Sequence, residues 1–217
     1  MSRRRGVTVV LGVACLLATA GCGGSSGAPA AAFTPAGPAS PSSPASPSPA
    51  VGGSGPSGFA ASVQLSFDTP VSGKGVRRAV LAGYQEYVRS FWYAVYTNGR
   101  NHDYSDHVGG NALTFLHQTI RYNIKHHLTI RGTARYFDTS VRRVFLGKGA
   151  ELTSCVDVSQ FHDVSTKTGK VVGDVFPRRF MHYLEDAALG QQPGGRWVVS
   201  HTANYPASES RAAQCRL

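Results

Sequence analysis

Charge is missing from the first third of this 217-residue chain: after Arg3, Arg4 and Arg5, no Asp, Glu, Lys or Arg occurs until Asp68. All 12 acids and 19 of the 22 Lys and Arg residues therefore lie in the last 150 residues. Long apolar runs are also missing. No stretch of about 20 apolar residues follows the N-terminus, which excludes a polytopic membrane protein. Cysteine is scarce, at 4 residues. The chain has no Gly-x-Ser-x-Gly elbow, no glycine-rich phosphate loop and no His-Glu-x-x-His pair. Those absences remove enzymes that announce themselves by motif, but not pocket enzymes whose groups converge from separate elements. The charged part has the size of one globular domain, which excludes a multidomain enzyme.

What is present begins with an address. Three arginines, an apolar core from Gly6 to Leu17 and the small residues Ala18-Thr19-Ala20-Gly21 before Cys22 form an export signal over residues 1–21. The segment resembles a bacterial lipobox, with Thr19 where that pattern prefers Leu and with Cys15 as a weaker rival. The resemblance implies a diacylglycerol thioether on Cys22, which becomes the mature N-terminus, and a protein held on the outer side of the cell membrane, since two or more acyl chains anchor stably. Ser2-Arg3-Arg4-Arg5 also loosely fits a twin-arginine signal, so the export route stays open. Residues 22–62 are nearly all Gly, Ser, Ala and Pro, and eight of the 12 prolines fall between Pro29 and Pro56. Such a stretch buries too little surface to offset ordering entropy and reads as a disordered tether, spanning roughly 35 Å as a flexible coil. Residues 63–217 form the folded domain.

With Cys15 in the signal and Cys22 assigned to lipid, Cys155 and Cys215 remain. One pair in an exported domain reads as a disulfide. The competing reading is a reactive thiol or metal pair, though neither Cys has a His or Cys partner at finger-like spacing.

Within the domain, Val76, Val80, Tyr84, Tyr87, Val88, Phe91, Trp92 and Val95 recur at helical spacing, and Asn98-Gly99 supplies the stop. A loop rich in Asp and His follows. Asn111 then caps a second helix with the face Leu113, Leu116, Ile120 and Ile124, closing on Lys125, His126 and His127. From Leu128 the period becomes two. Strands are expected over Thr129–Phe137, Ser140–Leu146 and Ala150–Ser159, with shorter segments at Phe161–Ser165 and Lys170–Val175, alternation around His182, and a last strand Arg196–Asn204. Two helices followed by an antiparallel meander is an α+β layout.

This order resembles the NTF2-like superfamily. The run Ala150-Glu151-Leu152-Thr153-Ser154-Cys155-Val156-Asp157-Val158-Ser159, the later Gly195-Arg196-Trp197-Val198-Val199 and Cys215 look like segments of exported actinobacterial members. The resemblance spans residues 74–217. It implies a cone in which a long N-terminal helix and a short one pack on a curved antiparallel sheet, with a pocket at the open end, and it allows a homodimer through the sheet. It implies no activity, because that fold hosts isomerases, dehydratases and binding modules.

If the strand faces carrying His182 and His201 are concave, both imidazoles point into that pocket, near Tyr84 or Trp92, and an acid–base pair is conceivable. The bland reading makes both histidines hydrogen-bonded strand residues. His102, Asp103, Asp106 and His107 crowd one loop without ligand spacing, so no metal and no cofactor are expected. Asp157 alternates with Val156 and Val158 and is expected to face solvent. The mature chain carries 19 bases against 12 acids, a net +7. For an exported protein, nucleic acid is excluded as a partner, whereas anionic lipid or wall polymer is physically reasonable. The leading expectation is a lipid-anchored module that binds an envelope protein or a small ligand without catalysis. The alternatives are a pocket enzyme of isomerase or dehydratase type and a module that binds anionic cell-wall polymer.

Overall fold

A computed structural model describes residues 57–217 apart from Gly73. The expected signal 1–21, lipidated Cys22 and tether residues up to 56 lie outside the described residues. The elements are α1 (Ser57–Ser62), β1 (Val63–Phe67), α2 (Gly75–Tyr96), α3 (Gly110–His126), β2 (Leu128–Phe145), β3 (Gly149–Ser165), β4 (Val171–Asp174), β5 (His182–Gln191) and β6 (Trp197–Pro206). The architecture is α+β, with one open, curved sheet in the order β1-β2-β3-β5-β6 and β4 paired to the far end of β3. Every pairing is antiparallel except β1 with β2.

The parallel strand and the helix before it correct the expectation of a purely antiparallel sheet and of a tether running to residue 62. The sequence from 57 to 67 is as charge-free as the tether, yet it carries anchors. Phe59 is buried, with its ring 5.2 Å from Tyr93 and 5.5 Å from Tyr96. Val63 is buried beside Gly132 of β2, and Leu65 and Phe67 follow it at period two onto the same core. Three apolar side chains on one face are enough to seat a short edge strand.

Helix α2 follows its predicted stripe from Val80 to Val95, all buried, while Val76 at the first turn stays exposed. It ends as Asn98-Gly99 implied: both residues have positive φ, and the Asn98 and Gly99 amides return to the carbonyls of Val95 and Ala94. The helix packs closely on the sheet at Gly83, where a Cβ would lie 2.5 Å from Cβ of Trp197 on β6. Helix α3 is capped by Gly109 rather than Asn111. The Asn111 amide instead exchanges two hydrogen bonds with the Thr202 backbone, at 3.2 and 3.0 Å. Leu116 and Ile120 are buried as expected, Leu113 is half-buried, and Ile124 is exposed.

The two strands expected on either side of residues 138–139 are one long strand, β2, kinked by a bulge at Asp138, whose φ is +49°. Likewise Ala150–Ser159 and Phe161–Ser165 are continuous in β3. The disulfide joins Cys155 to Cys215, whose Cα atoms are 5.2 Å apart. The bond lies on the sheet face opposite the helices, in a small second core with Phe137, Leu184, Ala207 and Ala212. Across a separation of 60 residues the chain-entropy model assigns it about 4 kcal/mol. No helix among the described residues is long and apolar enough to cross a membrane.

The contact at Gly83 predicts an inverted propensity effect. Alanine is a better helix former than glycine by about 1 kcal/mol, but here its methyl must displace the β6 backbone, and overpacking costs about 1–3 kcal/mol. Gly83→Ala is expected to lower stability in urea denaturation. A stabilised variant would show that α2 does not press on β6 at this point.

Candidate functional site

Strand β5 alternates from its start: Tyr183, Glu185, Ala187 and Leu189 face the helices, while Leu184 faces the disulfide core. Period two thereby carries a carboxyl group into the main core. Glu185 is only 6% exposed, and its cross-strand neighbours are Ser154 on β3 and Asn204 on β6. From α2 the Tyr84 hydroxyl donates to Glu185 Oε1 at 2.7 Å. Burial pushes the Glu185 carboxyl up to about 7, the Tyr84 hydrogen bond restrains that rise, and the Asp186 charge adds to it. Burial and the Glu185 charge likewise raise Tyr84 and Tyr87, so both phenols are neutral donors. Trp92 Nε1 donates to the Tyr136 hydroxyl at 2.7 Å, which holds the indole at one orientation.

Beside this group lies a cavity of about 420 Å³. Helix α2 supplies Phe91, Trp92 and Val95, and α3 supplies Phe115, Gln118, Thr119, Tyr122 and Asn123. Ile130 of β2, Asp163 of β3 and the Val175-Phe176 pair after β4 complete the wall. The rings of Phe91 and Phe115 stack at 5.9 Å. A second, smaller recess of about 20 Å³ shares Phe91, Trp92, Phe115 and Phe176 with the cavity and is bordered further in by Tyr87, Glu185, Thr202 and Asn204. That volume accommodates a single water molecule or one hydroxyl group. Two buried amide atoms on these walls have no hydrogen-bond partner: Asn123 Nδ2 at the cavity and Asn204 Oδ1 at the recess. In a chain of net charge +10, the only ionisable side chains on either wall besides tyrosine are Asp163 and Glu185.

Of the residues singled out by sequence, Tyr84 and Trp92 belong to this core. The two histidines do not. Phe180 lies in a short 3-10 turn, so alternation does not run from it into His182. His182 instead opens β5 on the other face, with Nε2 3.3 Å from Asp157 Oδ1. Trp197 and Val199 do face inward, but β6 carries an extra residue at Ser200, where the register with β5 shifts. Beyond that bulge the parity inverts, so His201 is exposed while Thr202 and Asn204 border the recess. His201 lines an open depression on the outer face together with Arg142, Asp186 and Arg211. Asp157 is also on the outer side, where it accepts from the Ser159 amide.

In the loop before α3, Asp103–Asp106 form a 3-10 turn and Asp106 reaches Arg196 at 3.3 Å. Among the described residues no three His, Cys, Asp or Glu side chains converge as a metal site. Sequence reading missed Glu185, Asn123 and Asp163. One signal existed for Glu185: it occupies the apolar parity of Tyr183, Ala187 and Leu189.

The Glu185 carboxyl gives stability a pH dependence of defined sign. Its folded value of about 7 exceeds the ordinary 4.5, so the folded state binds the proton more tightly. The protein is favoured where the group is protonated, and stability falls as pH rises from 4.5 to 7, by about 3 kcal/mol in total. Glu185→Gln keeps an acceptor for Tyr84 and removes the titration. Urea denaturation from pH 5 to 8 is expected to show a wild-type-minus-variant difference that grows with pH, with the variant the more stable by about 1–2 kcal/mol at pH 8. A difference flat in pH would mean that the carboxyl is solvated.

No protein-family model matches this chain, and no curated protein matches it. Among solved structures it is similar to the intermembrane space region of the chloroplast protein ARC6, at 10% identity and a TM-score of 0.43, covering 62% of this chain and 99% of that one. It is also similar to a protein described as a candidate ketosteroid isomerase from Shewanella frigidimarina NCIMB 400, at 17% identity and a TM-score of 0.31, covering 60% of this chain and 97% of that one.

Proposed function

We propose that this chain is a lipid-anchored protein of the outer side of a bacterial cell membrane, with an NTF2-like domain that binds a small ligand without converting it. The cavity carries the reading. Its volume of about 420 Å³ lies within the ~300–1,000 Å³ usual for small-molecule sites, and its walls are apolar with a few polar groups. That favours a small ligand over a partner protein. The long helix followed by an open, mostly antiparallel sheet supports the NTF2-like cone. The arginines, the lipobox-like Ala18-Thr19-Ala20-Gly21-Cys22 and the uncharged Gly/Ser/Ala/Pro stretch after it support anchoring through Cys22 on a tether. The disulfide agrees with an oxidising compartment.

Against catalysis stands the position of Glu185. It already accepts from Tyr84, and it borders a recess with room for one hydroxyl group rather than the larger cavity. One observation favours the second reading, a pocket enzyme of isomerase or dehydratase type. A carboxyl that titrates near 7 is suited to move a proton at neutral pH, and Glu185 would then be the acid–base group in place of the histidines.

Two measurements on the full chain, expressed in a bacterium that processes lipoproteins, test the proposal. Intact mass of the membrane fraction is expected to show a lipid adduct on Cys22, and Cys22→Ser is expected to move the protein out of that fraction. Native mass spectrometry of the Cys22→Ser protein is expected to retain a small-molecule adduct that Glu185→Gln leaves in place. Loss of turnover of that molecule in Glu185→Gln, with binding kept, would instead establish the enzyme. An apo mass in every preparation would count against an occupied cavity.

A further inference from the structure

The two carboxyl groups on the cavity and recess walls stand out on a basic protein, and Asp163 is the one that faces the larger volume. It sits in β3 between His162, which turns to Asp174 at 3.0 Å, and Val164, which is buried. Asp163 itself makes no side-chain hydrogen bond or ion pair among the described residues. Burial raises its carboxyl and the like charge of Asp174 raises it further, with no basic group offsetting either. The cavity it lines is also walled by the aromatic side chains of Phe91, Trp92, Phe115, Tyr122 and Phe176. Aromatic rings carry negative potential on their faces and attract desolvated cations, tertiary and quaternary ammonium groups most characteristically.

On the reading that the cavity holds a small ligand, we infer that the ligand is an apolar organic cation, an amine or quaternary ammonium whose charge lies between the aromatic walls and Asp163. An anion would meet two carboxyl groups and no Lys, Arg or His on these walls. A neutral apolar molecule would strip water from Asp163 and return nothing for it, which is the costly way to bury a charge. The cation supplies the missing counter-charge. A second group on the wall points to the same molecule. Asn123 is 3% exposed and its Nδ2 has no partner, so the ligand carries an oxygen acceptor, a hydroxyl, ether or carbonyl, on the side that meets α3.

The test uses the full Cys22→Ser chain in calorimetric titrations at one salt concentration, with three probes of matched shape. They are benzyltrimethylammonium, its uncharged carbon isostere neopentylbenzene, and the anion phenylmethanesulfonate. The cation is expected to bind at least tenfold more tightly than the isostere, and the anion not to bind. Asp163→Asn is expected to weaken the cation tenfold or more and to leave the isostere unchanged. Phe115→Leu, at a position 40% exposed to solvent, is expected to lower the ratio of cation to isostere affinity about threefold. Equal binding of cation and isostere, with no effect of Asp163→Asn, would overturn the cation while leaving a ligand cavity. Failure of all three probes would overturn both.

Discussion

The inside and outside of strand β6 are set by one extra residue. The segment before α3 adds itself to the β6 edge: the Gly109 amide donates to the Val199 carbonyl at 2.8 Å, and the Val199 amide donates to His107 at 3.1 Å. Gly110 follows with a φ of +51°, pressed so closely on the Ser200 carbonyl that a Cβ would lie 2.1 Å from it. The bulge at Ser200 absorbs this docking, and Asn111 then clamps the Thr202 backbone on the far side. Three features depend on that arrangement. The outer sheet edge is covered, which removes a row of free backbone groups. Helix α3 is held beside α2, which creates the aromatic cavity between them. Thr202 and Asn204 are turned toward Glu185, and His201 is turned away.

The core next to this edge is unusual in its chemistry rather than its shape. Tyr84, Tyr87, Tyr136 and Tyr183 all lie buried around one carboxyl group. Phenols are well suited to that position. They fill volume as phenylalanine does, and each offers a donor that remains neutral because a phenolate would be both buried and adjacent to Glu185. Among the described residues only Tyr84 donates to the carboxyl, so its burial is partly compensated, at the expense of stability as pH rises toward neutrality. The basic side chains that set the overall charge lie elsewhere, with Arg142 and Arg211 on the outer face of the sheet. The cavity and recess walls between helices and sheet carry the carboxyl groups Asp163 and Glu185 and, among the described residues, no Lys, Arg or His, a local contrast that is not visible in a net charge.

Much of this was legible in the amino-acid sequence, and the failures have physical causes. Helix α2 could be read because eight large apolar residues repeat at one period over 22 residues, with an Asn-Gly stop. The disulfide followed from there being only two cysteines after Cys22. The first helix and strand were not legible, because their composition continues that of the stretch before them and only Phe59, Val63, Leu65 and Phe67 distinguish them. Both histidines were misplaced for a shared reason. Alternation predicts a face only while the strand is regular, and a 3-10 turn precedes one histidine while a bulge precedes the other. Glu185 and Asp163 were overlooked because a carboxylate within a strand ordinarily marks the wet side.

The disulfide has a consequence for the order in which the molecule is assembled. Cys155 lies in the middle strand of the sheet, and Cys215 reaches it only after β5 and β6 have been laid down and the chain has turned back across them. During synthesis the Cys155 thiol waits through 60 further residues for its partner. It spends that interval on the outer face of an unfinished sheet, because β5 and β6 bring Tyr183, Leu189, Trp197 and Val199 to the helix-side core before Cys215 arrives. Oxidation is thus a late latch on a nearly finished structure, and a reduced chain would keep its aromatic interior while its final turn swings free.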